Sequence, residues 1–307
     1  MRASKEKAVA WNYGKKGVAS RIFDTFNVLL MCFLIVVTLY PFIYVLFASF
    51  SEPLRLMAHR GILLAPLGFS TGGYSMVFNN DGIVNGYMVT IYIAIVGTLC
   101  NMIASLLFAY VLSRRNMMWH GLITVLAVFT MYFGGGLIPT YLVVNALGLI
   151  DSLWALILPG LINTYNVIIL RTAFNSVPVE LEESARLDGA GEFWVLVNVM
   201  IPLIKPTIAA ISLFYMVGHW NSWTSALIYI KTPTKYPLQL VLRSILIQND
   251  TQASVAGTAM YQAGEDYAAR MLLKYSTIIV SIVPIICVYP FLQKYFTKGI
   301  MIGALKG

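Results

Sequence analysis

Charged residues are scarce in this sequence. Asp, Glu, Lys and Arg make up 11% of its 307 residues and hydrophobic residues 59%, whereas soluble domains carry about 25% charged residues. A soluble globular protein is therefore excluded, and the apolar runs leave no room for a separate soluble domain. The composition predicts an all-α integral membrane protein.

Cysteine and histidine each occur only three times, which argues against a disulfide framework and against a metal site. Cys32, Cys100 and Cys287 lie inside apolar runs without a CxxC pair, so no disulfide framework is predicted. The three histidines lie in different segments, so no metal site is expected. We interpret His219 as a hydrogen-bonded packing residue rather than a metal ligand.

The sequence also lacks the motifs of catalysis and of self-contained energy use. It has no GxxxxGK[ST] phosphate loop, so the chain is not expected to bind ATP or another cofactor itself. No nucleophile–base arrangement is visible, so no catalytic residue is predicted. The apolar segments lack the buried acids that ion-driven carriers often use. Energy for any transport is therefore expected to come from a partner.

What the sequence does contain is a series of apolar stretches long enough to cross a bilayer, which needs ~20 residues. Six are predicted, at residues 26–50, 84–112, 119–145, 153–173, 203–230 and 272–296. Of the 21 Lys and Arg residues, 14 lie in segments predicted to be inside and 7 in segments predicted to be outside. Basic residues on the cytoplasmic side therefore explain the net charge of +8, and no nucleic-acid partner is implied. The same bias predicts that both termini are cytoplasmic.

The predicted organisation follows from these spans. Residues 1–24 form a basic cytoplasmic tail, without a cleavage site for a removable signal peptide. Residues 25–297 form the six-helix transmembrane domain, and residues 298–307 a second cytoplasmic tail. Gly134 to Gly136 and Pro139 predict a break in the third span, either a moving part of a transporter or a packing notch.

One acidic segment, residues 180–206, interrupts the apolar pattern between the fourth and fifth spans. It holds five of the chain's thirteen acidic residues. A carboxylate costs about 2.5–3.5 kcal/mol at the centre of a bilayer, so this segment is predicted to lie in water. Pro178 suits the first turn of a helix and Gly189 its end. Asp188 is expected to cap a second helix over residues 190–199.

This segment resembles the EAA loop of ABC importer permeases. The pattern is matched by Glu183-Ser184-Ala185, by Asp188-Gly189-Ala190 and by Ile201-Pro202, with Ser184 and Ile201 as mild departures. In that family the loop is a coupling helix that inserts into a groove of the cytoplasmic ATPase. The resemblance therefore implies a coupling loop over residues 177–200; an ordinary amphipathic cytoplasmic loop is the alternative. The residues implied for ATPase coupling are Glu182, Glu183, Ser184, Ala185, Asp188, Gly189 and Ala190.

Similarity to one branch of the family extends over most of the chain. The runs that carry it lie at residues 135–141, 154–160, 219–223, 236–239, 298–299 and 306–307. They resemble the MalG-like permeases of carbohydrate importers, especially those for rhamnogalacturonan- and aldouronate-type oligosaccharides. The resemblance implies a second homologous permease subunit, an extracellular solute-binding lipoprotein and two copies of a cytoplasmic ATPase that carries ATP and Mg.

Amide and aromatic residues occur together in the fourth and fifth spans. Amides bond hydroxyl groups and aromatic rings stack on sugars, so these residues are candidates for a substrate path. Hydrogen bonding between helices is the alternative interpretation. The candidates are Asn163, Tyr165, Asn166, Trp220, Asn221 and Trp223.

Together these features predict a non-enzymatic, multi-pass permease subunit in the bacterial cytoplasmic membrane, surrounded by lipid. Its expected substrate is a carbohydrate, most specifically an acidic oligosaccharide from plant cell walls, imported by alternating access that the EAA-like loop couples to ATPase closure. Two alternatives remain at this point. An ABC permease for another solute class would keep the loop but lose the carbohydrate-branch runs, and an ion-driven secondary carrier would need no ATPase.

Overall fold

The computed structural model describes residues 18–114, 116–255 and 268–288. Over these residues the chain consists of helices and turns, without a strand. The prediction of a helical chain is confirmed for this part. The predicted tail over residues 298–307, most of the tail over residues 1–24 and the end of the sixth span lie outside the described residues.

The helices are connected mostly by short turns. In chain order they are α1 Val18–Ser49, α2 Pro53–Ala58, α3 Gly72–Phe78, α4 Asp81–Ser113, α5 His120–Tyr132, α6 Leu137–Ala146, α7 Thr164–Asn175, α8 Val179–Leu187, α9 Glu192–Val195, α10 Ile201–Leu203, α11 Lys205–Trp220, α12 Thr224–Tyr229, α13 Leu238–Val255 and α14 Ala268–Val288. Shorter 3₁₀ turns occur at Leu153–Leu156, Leu158–Gly160 and Pro233–Lys235, and a π-helical turn over Leu196–Met200 joins α9 to α10.

Three helices are long and apolar enough to cross a membrane on their own, namely α1, α4 and α14. Three further pairs of segments pass the same test together but are bent. They are α5 with α6 (113°), the two 3₁₀ turns of Leu153–Gly160 with α7 (53°), and Glu192–Leu203 with α11 (87°). The described part of the chain therefore has three spanning helices, or up to six if each bent pair is one span.

The third predicted span is interrupted at its glycine run. Helix α5 ends at Tyr132 and α6 begins at Leu137, and Gly136 between them has a φ of +83°. That left-handed conformation is easily reached by glycine, which has no Cβ. The break predicted from the sequence is confirmed.

The fifth predicted span, residues 203–230, is shorter than expected. Helix α11 ends at Trp220, and the chain turns before α12 begins at Thr224. The Asn221 amide donates to Val217 O at 2.9 Å and the Ser222 hydroxyl to His219 O at 2.7 Å. Such side chains compete for the backbone carbonyls that would continue a helix, which apolar length alone does not reveal.

Helix α4 is the centre of the body. It packs against α7, α11 and α13. The last of these, α13, lies between the fifth and sixth predicted spans, where the sequence predicted no span. Its first residue, Leu238, is fully buried, and the Leu238 amide donates to Thr90 Oγ1 of α4 at 2.8 Å. This contact fixes α13 near the N-terminal end of α4.

Three apolar cores in the described part of the chain contain residues of α4. One, near its C-terminal end, contains Phe174 of α7 and Met200 of the π-helical turn. A second contains Tyr229 of α12, and a third contains Ile83, near the N-terminal end of α4, with Leu238 of α13. Helix α1 is different, because its most apolar window has no buried residue. An apolar helix exposed all round is stable only where lipid or another protein covers it.

Candidate functional site

The acidic segment forms an elbow, which we define as residues 178–203. Helix α8 ends at Leu187, and Gly189 has a φ of +85°. The Gly189 amide donates to Arg186 O and the Ala190 amide to Ala185 O, both at 3.0 Å. These bonds close the end of the helix and turn the chain, as a glycine just past a helix end commonly does. The predicted corner at Gly189 is therefore present.

One detail of the predicted elbow is wrong. Asp188 does not cap the second helix, which starts at Glu192 rather than at residue 190. The residue at the cap position is Gly191, and no side chain accepts a hydrogen bond there. Asp188 instead closes α8. The Gly189 turn adds residues between the two helices, so Asp188 lies too far from the first turn of α9 to cap it.

The structure brings all seven predicted coupling residues together on this elbow, but they do not face the same way. Glu183, Ser184, Asp188 and Gly189 are exposed, and the two alanines are half-buried. Glu182 is only 7% exposed. The exposed side of the elbow lines an open cavity of about 590 Å³. Its lining residues are Leu181, Ser184, Ala185, Asp188, Gly189, Ala190, Gly191, Trp194 and Val199.

On its inner side the elbow is joined to α4 by a set of ionic and hydrogen-bonded side chains, which we call the elbow network: Tyr110, Arg114, Glu182, Arg186 and Glu192. The Glu182 carboxylate pairs with Arg114 and accepts a bond from Arg186 Nη2 at 2.7 Å. Arg186 also pairs with Glu192 at 2.5 Å, and the Tyr110 hydroxyl donates to Glu192 Oε2 at 2.8 Å.

Arg114 stays charged in this position. Its guanidinium lies over the Tyr110 ring, 4.1 Å from the centroid. Partial burial alone would lower the pKa of Arg114, but its hydrogen bond to Glu182 and its interactions with Tyr110 hold the pKa above the ordinary value. A buried carboxylate is stable only with such partners, so the pair explains how Glu182 can be withdrawn from water.

A second site is a polar pocket of about 580 Å³ between α4, α7 and α11. It is lined by Asn101, Gly160, Asn163, Tyr165, Asn166, Phe214, Tyr215, Gly218 and His219. Three of the six predicted substrate-path residues, Asn163, Tyr165 and Asn166, lie together here. The Asn163 side chain also accepts a bond from the backbone N–H of Asn166 at 3.2 Å and so caps the N-terminus of α7.

Asn101 also lines this pocket, although it was not among the residues predicted from the sequence. Its Nδ2 donates to Gly160 O at 2.7 Å and to Leu161 O at 2.8 Å, and its Oδ1 lies 2.7 Å from His219 Nε2. Because Oδ1 can only accept, His219 Nε2 carries the proton in this contact. An amide in the middle of a 33-residue apolar helix was a signal that could have identified it.

Close contact between α4 and α11 at this point requires a glycine. A Cβ added to Gly97 would lie 2.5 Å from His219 Nε2 and 2.7 Å from its Cε1. Such distances are well inside van der Waals contact, so a larger residue would displace the ring. Gly97 therefore places His219 beside Asn101.

The other three predicted substrate-path residues lie outside the lining of this pocket. Trp220 is 8% exposed, and its Nε1 donates to Ser281 O of α14 at 3.2 Å. Trp223 lies under the Arg243 guanidinium at 4.7 Å, and the Asn221 amide is bonded within α11. Trp220 thus joins two helices, as the packing interpretation describes.

A third polar cluster lies at the N-terminal end of α4, opposite the elbow. We call it the Asp151 cluster: Asp151, Lys231, Thr232 and Lys235. Asp151 Oδ1 accepts from the Lys231 and Thr232 amides at 3.0 and 2.9 Å, and Oδ2 from Thr232 Oγ1 at 2.6 Å and Lys235 Nζ at 3.0 Å. The Thr232 hydroxyl, these two amides and Lys235 hold the pKa of Asp151 well below its usual range.

Comparisons with known proteins cover nearly the whole chain, although no family model matches it. Two relatives from Bacillus subtilis (strain 168) are each 40% identical. Protein LplC aligns over 289 residues, 94% of this chain and 96% of the relative. The polygalacturonan/rhamnogalacturonan transport system permease protein YtcP aligns over 290 residues, 94% of this chain and 99% of the relative.

A solved structure is also similar. It is the crystal structure of a bacterial ABC transporter involved in the import of the acidic polysaccharide alginate. The similarity has a TM-score of 0.83 and 30% sequence identity, and covers 92% of this chain and 99% of that chain. The shared region therefore takes in most of this chain.

Proposed function

Because this chain belongs to the permease subunits of carbohydrate ABC importers, we propose that it carries acidic, plant-wall-derived oligosaccharides through the bacterial cytoplasmic membrane. The chain is a transport subunit and not an enzyme; in such systems ATP hydrolysis belongs to a separate subunit. The observation that carries the proposal is the elbow. An EAA-like segment sits on an exposed corner at one end of α4, in a chain 40% identical to a named transport permease.

The proposed topology has six spans with both termini in the cytoplasm. Three spanning helices and three bent pairs allow that number, with α11 as the part of the third pair that lies in the membrane. The distribution of Lys and Arg supports the orientation. In this arrangement the basic tail is residues 1–24, the membrane domain residues 25–297, the coupling loop residues 177–200 and the final tail residues 298–307. The elbow then lies inside and the Asp151 cluster outside.

The proposed assembly contains a second homologous permease, two copies of a cytoplasmic ATPase that carries ATP and Mg, and an extracellular solute-binding lipoprotein. The exposed set of Glu183, Ser184, Asp188 and Gly189 is the surface proposed to enter the ATPase. The aromatic side chains of Phe193 and Trp194, 71% and 52% exposed, suit a protein groove, since exposed aromatics are favoured interface anchors.

The polar pocket is proposed as this subunit's contact with the sugar. Its lining offers amides, hydroxyls and rings but neither Lys nor Arg. Amides bond hydroxyl groups, and the side chains of Asn101, Asn163 and Asn166 all belong to the lining of the pocket. We therefore assign hydroxyl groups to this pocket and the carboxylates of an acidic sugar to other parts of the importer.

The function is tested by deleting the gene from its native bacterium and restoring it on a plasmid. Uptake of labelled tri-galacturonate should be lost on deletion, regained on restoration, and abolished when ATP is depleted with arsenate. Maltotriose uptake should be unchanged by the deletion and by the restoration. Tri-galacturonate uptake that survives ATP depletion but stops with a protonophore would identify an ion-driven carrier instead. Uptake that survives deletion would reject the substrate class.

The pocket is tested with Asn166→Ala. One lost hydrogen bond of about 1 kcal/mol should raise the KM for tri-galacturonate about fivefold with little change in the amount of complex. Asn221→Ala removes an amide from outside the pocket lining and is the matched comparison. Equal effects of both variants would favour the wider residue set predicted from the sequence, and no effect of either would favour helix packing.

A further inference from the structure

We propose that Glu182 is an internal positioning residue for coupling, which holds the elbow to α4 and does not contact the ATPase. Displacement of the elbow would then move α4 and, with it, the pocket residue Asn101. This inference rests on the proposed function, because it assumes that a motor subunit moves the elbow.

Burial separates Glu182 from the other acids of α8. Glu182 is 7% exposed, while Glu180 and Glu183 are exposed. A carboxylate withdrawn from water needs compensating charge, and Glu182 has it from two directions, Arg114 and Arg186. A side chain enclosed in this way has no free surface for a partner protein. It can act only through the residues that it holds.

The contacts form a closed path through three elements. Helix α4 contributes Tyr110 and, just past its end, Arg114; α8 contributes Glu182 and Arg186; α9 contributes Glu192. Glu182 and Arg186 are four residues apart, so they lie on one face of α8. The Tyr110 hydroxyl donates to Glu192 Oε2 at 2.8 Å, which closes the path. Helices α8 and α9 are therefore both held to the same end of α4.

The same helix reaches the polar pocket. Asn101 lies thirteen residues before Arg114, about 20 Å along a helix that rises 1.5 Å per residue. Helix α4 has no proline or described break between these residues. A displacement or rotation of α4 at the elbow network therefore also moves Asn101. The side-chain amide of Asn101 is hydrogen-bonded to Gly160 O, Leu161 O and His219.

The experiment compares Glu182→Gln with Glu180→Gln in the complex purified through a tag on this chain and reconstituted in liposomes. Both changes remove one carboxylate from α8, but only Glu182→Gln breaks ion pairs of the elbow network. Two quantities are measured: the ATPase subunit retained per permease, and the ratio of tri-galacturonate transported to ATP hydrolysed. For Glu182→Gln we expect normal retention and a ratio lowered about fivefold or more. Glu180→Gln should leave both quantities unchanged.

A double-substitution test separates this role from general stability. Arg114→Gln should also lower the transport-to-ATP ratio, and Glu182→Gln combined with Arg114→Gln should be less harmful than the product of the two single effects, because both break one contact. Independent effects would contradict a shared path. If Glu182→Gln fails to assemble, Tyr110→Phe is the alternative, because it removes the hydrogen bond to Glu192 without changing charge. The transport-to-ATP ratio of Tyr110→Phe should fall about twofold.

The outcomes distinguish this inference from the proposed function. If the wild-type complex contains no ATPase subunit, the proposed function fails. If the wild-type complex is coupled, but both Glu182→Gln and Tyr110→Phe keep its transport-to-ATP ratio, the elbow network has no role in coupling and the proposed function stands. Loss of the ATPase subunit in assembled Glu182→Gln permease would instead make Glu182 a docking residue and overturn the inference.

Discussion

The two ends of α4 each carry a carboxylate cluster, and the two clusters are built from different groups. At the elbow, the carboxylates of the network contact side chains only: Glu182 pairs with Arg114 and Arg186, and Glu192 with Arg186 and Tyr110. At the opposite end, Asp151 accepts from two backbone amides as well as from Thr232 and Lys235. One cluster joins helices, whereas the other fixes the shape of a loop.

This difference indicates different tasks. Backbone amides cannot leave Asp151 without unfolding the turn at residues 231–235, so that cluster is suited to holding a fixed surface. Side-chain pairs can slide or exchange partners while the helices stay folded. The elbow network is therefore suited to passing movement between helices, while the Asp151 cluster keeps the other end rigid.

The largest effect is expected from breaking the corner of the elbow with Gly189→Pro. Proline holds φ near −65° and has no amide hydrogen, whereas Gly189 has a φ of +85° and donates to Arg186 O. Tri-galacturonate uptake should fall about tenfold or more. Gly191, with a φ of −75°, is compatible with proline, so Gly191→Pro is the matched variant and should transport much better. Equal uptake by the two would show that the corner's geometry is unimportant.

A smaller and different effect is expected at the Asp151 cluster. Asp151→Ala removes every acceptor of the side chain, while Asp151→Asn keeps an oxygen for the Lys231 and Thr232 amides and tolerates the φ of +62°. Melting temperature in detergent should fall in the order wild type, Asp151→Asn, Asp151→Ala. The transport-to-ATP ratio should not change in either variant. A lowered ratio would mean that coupling extends to this end.

The smallest effect is a pH dependence of that stability. The folded state lowers the pKa of Asp151, so its contribution is present above the unfolded value of about 3.9 and is lost as the pH falls through the folded value. The difference in melting temperature between wild type and Asp151→Asn should be constant from about pH 7 to about pH 5 and shrink only below about pH 4. A difference that disappears near neutral pH would contradict the assignment.

Local chemistry in the sequence was enough to predict several features. The glycine of the elbow corner and the broken third span were correctly located, because Gly189 and Gly136 adopt backbone conformations that favour glycine. The placement of the acidic segment in water rests on the cost of carboxylates in lipid and stays a prediction. For the pocket, Asn163, Tyr165 and Asn166 were identified as a group from one short stretch.

Features that depend on contacts between distant segments were not predicted. Asn101 and His219 are 118 residues apart, and only the packing of α4 on α11 brings them together. The inward direction of Glu182 depends on Arg114, 68 residues away. Asp151 and Thr232 likewise meet only through the fold. Apolar length also overestimated the fifth span, because it does not register the hydrogen bonds of Asn221 and Ser222.

The central claim is that the elbow lies in the cytoplasm, where an ATPase can bind it, and the Asp151 cluster lies outside. A direct measurement is maleimide labelling of single cysteines in a chain from which the three native cysteines have been removed. Ser184→Cys and Lys231→Cys place the thiol at exposed positions at the two ends of α4. With a membrane-impermeant reagent, Lys231→Cys should be labelled in intact cells and Ser184→Cys only in inside-out vesicles. Labelling of Ser184→Cys in intact cells would contradict the account.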